Sequence, residues 1–128
     1  MKLNSLKIFN TQFILAVAVI AINLLLTTSV SAMSLRELRQ LERSNAKQGE
    51  WYVQYYLIGV LEGLQVANTT TVRQGGPALF CQNDKRLDTT QAKKMFDAER
   101  KLNADLYEAD MPVQLVMLNA MVSIYPCK

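Results

Sequence analysis

From residue 33 onward, apolar side chains recur at helical rather than at strand spacing. Ser34, Leu35, Arg36 and Glu37 have the form of a capping box, and Leu35, Leu38 and Leu41 then follow at three-residue steps. This predicts a short amphipathic helix ending near Gly49. A second helix is predicted from about Glu50 to Val66, where Val53, Leu57, Val60, Leu61 and Leu64 form one apolar stripe suited to a core. A neighbouring face carries Tyr52, Tyr56, Gly59 and Gly63. Glycine costs a helix about 1 kcal/mol relative to alanine, so two glycines one turn apart predict the close approach of another backbone.

From Ala67 to Asp88 the period fails. Thr69, Thr70, Thr71, Gly75, Gly76, Pro77, Asn83 and Asp84 are turn formers and predict a long loop, with Ala78, Leu79, Phe80 and Cys81 tucked inward and the tip near Gly75 exposed. Loops longer than about 12 to 15 residues often carry function. Arg73, Gln74, Gly75, Gly76 and Pro77 are therefore the first candidate contact residues. Asp88 with Gln91 caps a third helix whose apolar positions are Ala92, Met95, Phe96, Leu102 and Leu106, with a charged break at Glu99. Lys93, Asp97 and Lys101 fall on its wet side. Asp105, Glu108 and Asp110 precede Pro112, and this acidic link supplies a second candidate contact segment through Asp105 and Glu108. Acids favour the start of the next helix, and the spacing lacks the glycine and ligand register of a calcium loop, so no metal is expected. Val113, Val116, Met117, Ala120, Met121 and Ile124 mark a fourth helix, stopped by Pro126. The expected fold class is all-α, a small four-helix domain.

The first 32 residues read differently. Lys2 and Lys7 precede an apolar run from Phe13 to Leu26, and Val30, Ser31 and Ala32 close it with small residues. These are the parts of a cleaved secretory signal, with cleavage expected between Ala32 and Met33 and a destination in the periplasm. Export bears on the cysteines: Cys81 and Cys127 are the only two, and thiols paired in a fold stay oxidised outside the cytosol. The remaining domain, residues 33–128, carries twelve basic and eleven acidic groups, a net charge of +1. That balance gives no electrostatic reason to expect nucleic acid or a membrane surface as partner. The chain has no histidine, which removes the commonest general base and the commonest neutral metal ligand. No nucleophile with an adjacent base can be identified, so catalysis is not expected, and no cofactor is implied.

The order of these features resembles the Rap/Tai type of periplasmic immunity protein. The segments that carry the resemblance are Tyr56, Gly59, Val60, Glu62 and Leu64 in the second helix, then Phe80 and Cys81. Thr89 or Thr90 with Gln91 follows at the start of a helix, and Pro112 leads an apolar helix into Tyr125, Pro126 and Cys127. Glu62 stands where that family usually has Asp and Gly63 where it has Ala. Asn103 to Tyr107 replaces a His-Pro-Glu stretch. The resemblance implies a small helical protein that binds a type VI secretion amidase effector and blocks its cleft, protecting self or kin. The alternative reading is a small periplasmic helper or acid-stress type chaperone. A homodimer is compatible with either.

Overall fold

The computed structural model describes residues 32–45, 47–83 and 86–128. All but the last residue of the expected leader, residues 1–32, lies outside the described residues. Four helices make up the rest: α1 (Leu35–Ser44), α2 (Gln48–Arg73), α3 (Thr89–Leu102) and α4 (Val113–Ile124), with a 3₁₀ turn, Ala104–Leu106, between the last two. There is no strand among the described residues, only a single bridge between Ser34 and Pro112. The fold is all-α, as the periodicity predicts, and no described helix is long and apolar enough to cross a membrane.

Both predicted capping boxes form. The Ser34 hydroxyl accepts from the Glu37 N–H at 3.3 Å while the Glu37 carboxylate accepts from the Ser34 N–H at 2.7 Å, and Asp88 with Gln91 repeats the arrangement at α3. The bond from the Ser34 backbone, then that from its hydroxyl, holds the Glu37 carboxyl below its ordinary value. The chain ahead of α1 is sewn to the link before α4: the N–H groups of Leu35 and Arg36 donate to the carbonyls of Met111 and Ala109, and Val113 N–H donates to Met33.

Helix α1 stops at Ser44 rather than near Gly49. Asn45 leaves the helix, and its Oδ1 accepts from the N–H groups of Lys47 and Gln48 at 3.3 Å each, which turns the chain into α2. Gly49 lies at the resulting elbow. A Cβ there would collide with the Leu41 carbonyl oxygen and come within 3.0 Å of that of Glu42.

Helix α2 runs on to Arg73, past the predicted end at Val66, so the first part of the expected loop is helical. Thr71 accommodates this by donating its hydroxyl back to the Ala67 carbonyl at 3.0 Å. The helix closes in a Schellman motif. Gly75 takes φ 83°, its N–H donates to Val72 O, and Gly76 N–H donates to Thr71 O at 2.9 Å. Asn68 then grips the returning chain, its amide donating to Phe80 O at 2.9 Å and accepting from Leu79 N–H at 2.7 Å. Phe80 is buried as predicted, whereas Leu79 and Cys81, expected to tuck inward with it, are exposed; the Cys81–Cys127 disulfide forms with Cα atoms 4.9 Å apart.

The core draws on every helix. Leu35 and Leu38 of α1 meet Val53, Leu57 and Leu61 of α2, Ala92 and Phe96 of α3, and Val113, Val116, Met117 and Met121 of α4. The methionines fill core space as their helical spacing suggests. Three predicted core positions are outside it: Leu102 is 81% exposed, Leu106 64% and Ile124 47%. Helix α3 ends at Leu102, and the tighter winding of the following 3₁₀ turn brings Tyr107 inward in place of Leu106.

The disulfide spans 46 residues, and closing a loop of that size stabilises a domain by about 4 kcal/mol in the chain-entropy model. The Cys81→Ser/Cys127→Ser protein is expected to lose a stability of that order in urea unfolding. A loss smaller than about 1 kcal/mol would show that the reduced chain is already constrained.

Candidate functional site

The distinctive surface lies on the outer side of α2. Four aromatic residues occur within six positions, Trp51, Tyr52, Tyr55 and Tyr56, and one helix face cannot bury them all. Val53, Leu57 and Leu61 take the core stripe. Trp51, Tyr52 and Tyr55 are left 59%, 57% and 62% exposed, with the Trp51 and Tyr55 rings 6.5 Å apart. Around them is a hollow of about 490 Å³ bordered by Asn45, Lys47 and Gln48. Tyr55 also borders a second hollow of about 500 Å³, formed with Tyr56, Gly59, Val60, Gly63, Leu64 and Gln114. The two make one continuous apolar strip along the helix.

Gly59 and Gly63 are the floor of that strip, and nothing lies within 4 Å of a Cβ built on either. The expected close backbone contact is therefore absent among the described residues. It occurs instead at Gly49, in the elbow. Val60 and Leu64, predicted as core, are half-buried and border the groove. Tyr56 is fixed from behind by α4: its phenol oxygen accepts from the Gln114 amide at 2.9 Å. Burial raises this phenol above its ordinary pKa, outweighing the bond from Gln114. The other end of that amide, Oε1, is buried with no hydrogen bond among the described residues.

The segments predicted as contact residues are placed as follows. Arg73, Gln74, Gly75 and Pro77 are exposed and Gly76 half-buried, but they form the fixed cap of α2 rather than the tip of a long loop. At 1.5 Å per residue the cap stands about 33 Å along the helix from Trp51. Asp105 and Glu108 are exposed on the link between α3 and α4. Their neighbour Asp110 is held by Arg36 at 3.0 Å. Among the described residues, no hydrogen bond or ion pair joins the cap to the link.

One polar cluster escaped the sequence reading. Glu99, taken there as a charged break, is 6% exposed and turned into the protein. Its Oε1 accepts from the Tyr107 hydroxyl at 2.6 Å and from the Asn103 amide at 2.8 Å, and Asn119 donates to the Tyr107 oxygen at 3.0 Å. The carboxylate thus joins α3, the link and α4. The signal was present in the spacing, since Glu99 lies three residues beyond Phe96 and seven beyond Ala92 on the same stripe. The cluster fixes the shape of the link that displays Asp105 and Glu108.

Glu50 and Glu62 are both exposed on one unbroken helix, about 18 Å apart along its axis. Among the described residues no three metal-binding side chains come together. Compared with known proteins, the chain matches no family model, no characterised protein and no solved structure.

Burial first, and then the bond and charge of Glu99, raise the Tyr107 phenol above its ordinary value. A folded-state value above the unfolded one, near 10 for tyrosine, means that this contribution to stability is complete below about pH 10 and disappears as pH rises through the folded value. Tyr107→Phe is expected to cost about 1 to 3 kcal/mol at neutral pH, because Glu99 loses a buried donor. It is also expected to reduce the loss of stability above about pH 10, measured as the urea midpoint across the alkaline range. An unchanged alkaline slope in the variant would remove Tyr107 as its source.

Proposed function

We propose that this is a binding protein of the bacterial envelope, of the Rap/Tai immunity kind. It would be exported to the periplasm and would inhibit a cell-wall amidase delivered by type VI secretion, by surface contact and with no chemistry of its own. The observation that carries the reading is the exposed row Trp51, Tyr52 and Tyr55 continuing into the open Gly59–Gly63 groove. Large aromatic side chains held on a rigid element are the usual anchors of protein interfaces, and they lose little entropy on binding. The segment that carries the resemblance supplies most of the groove: Tyr56, Gly59, Val60 and Leu64 all border it. In this reading the aromatic strip anchors the enzyme. The cap at Arg73, Gln74, Gly75, Gly76 and Pro77 and the link at Asp105 and Glu108 are the segments available to enter its cleft.

The test is co-purification with the amidase encoded beside this gene, together with rescue of cells expressing that amidase in the periplasm. Recovery of neither would end the proposal. Trp51→Ala with Tyr55→Ala is expected to weaken the complex by at least about tenfold, since each anchor typically contributes more than about 1 kcal/mol. Gly59→Ala separates folding from binding. With open space around it, the added methyl should raise stability by up to about 1 kcal/mol, while narrowing the groove and lowering affinity. A variant that is both more stable and equally tight would place the interface elsewhere.

A further inference from the structure

A second surface lies between α1 and α3. Arg39, Glu42 and Arg43 face Asp97, Arg100 and Lys101 across a hollow of about 590 Å³ lined by charged side chains. The two acids are already engaged. Lys93, with a side chain only 17% exposed, is 3.1 Å from Glu42 and 2.7 Å from Asp97, and Arg100 is 3.3 Å from the other oxygen of Asp97. Arg100 is also fixed over the Phe96 ring, 5.8 Å from its centroid. No ion pair or hydrogen bond holds Arg39, Arg43 or Lys101 among the described residues. Arg39 and Arg43 are also one helical turn apart, where like charges repel.

We infer that this groove receives an acidic segment of a protein partner, with Arg39, Arg43 and Lys101 binding its carboxylates. Five cations against two acids leave the groove a local charge of +3, on a domain whose net charge is only +1. The positive potential is thus confined to a cleft. A bilayer or a nucleic acid duplex presents a broad anionic surface and is met by a broad basic face, whereas a concave site between two helices suits a narrow acidic element. The hollow has room for several side chains rather than one small anion. Arginine binds carboxylate in a two-pronged geometry, and the internal pairs made by Lys93 and Arg100 keep the groove walls in place. This inference concerns the chemistry of the partner's surface and does not depend on the partner being an amidase.

A fluorescent hexaglutamate peptide, followed by anisotropy with the full folded protein, is the probe. Saturable binding that weakens with salt is expected, with a loss of about tenfold or more in Arg39→Gln/Arg43→Gln. The loss should be absent in Arg86→Gln/Lys128→Gln, which removes the same charge from exposed positions elsewhere. Lys101→Gln alone should show a smaller loss, and it replaces the double variant if circular dichroism finds the latter unfolded. Equal weakening by the control pair would reduce the effect to net charge and overturn the inference. So would absence of binding, displacement of the peptide by an equal concentration of inorganic phosphate, or tighter retention on phosphatidylglycerol vesicles than on the peptide. Peptide binding without any amidase complex would leave the groove standing and remove the immunity reading, so the two failures are distinguishable.

Discussion

A helix of 26 residues that is buried along a single stripe must leave the rest of its circumference to solvent, and the other features of this protein follow from that constraint. Helices α1, α3 and α4 close over Val53, Leu57 and Leu61 of α2, and together they bury a core whose largest members are fully enclosed. The aromatic residues at the start of α2 and the two glycines at its middle fall on the side that none of the other described helices covers. The apolar strip is thus a remainder of the packing, held rigid because its opposite face is the centre of the core.

Much of the architecture was legible because capping and periodicity act locally. Ser34 and Asp88 start helices by bonding to residues three positions away, and the Met117 and Met121 positions follow from a 3.6-residue period. Phe80 follows the inward turn that the disulfide suggests, while Cys81 itself stays exposed. The failures have equally physical origins. Thr69, Thr70 and Thr71 were read as turn formers, whereas the Thr71 hydroxyl bonds back along the helix and the true stop is the left-handed Gly75. Gly59 and Gly63 are indistinguishable by sequence from glycines under a crossing helix, and only the absence of neighbours separates the two cases. Glu99 reads as a break in the apolar stripe by its charge, because the partners that make its burial tolerable, Tyr107 and Asn119, come from segments a local reading does not connect.

Charge is distributed by a similar logic. The acids nearest the core are consumed in holding elements together: Glu99 joins α3 to the link and α4, and Glu42 with Asp97 closes on Lys93 between α1 and α3. Burial lowers the Lys93 pKa, but its bonds to Asp97 and Glu42 outweigh this, and the net direction is upward. Once those acids are committed, Arg39 and Arg43 have no opposite charge to meet among the described residues. The domain can therefore be near neutral as a whole and strongly basic in one cleft.

The elbow at Gly49 sets how these two surfaces relate. It leaves no room for a side chain between the end of α1 and the start of α2, so the backbones of the two helices meet closely there. Arg39 and Arg43 lie just before it, Trp51 and Tyr55 just after. A macromolecule broad enough to reach both would meet them as one bipartite footprint. Its rotational freedom would be surrendered once for two sets of contacts, and the strength of the grip would approach the product of two weak affinities.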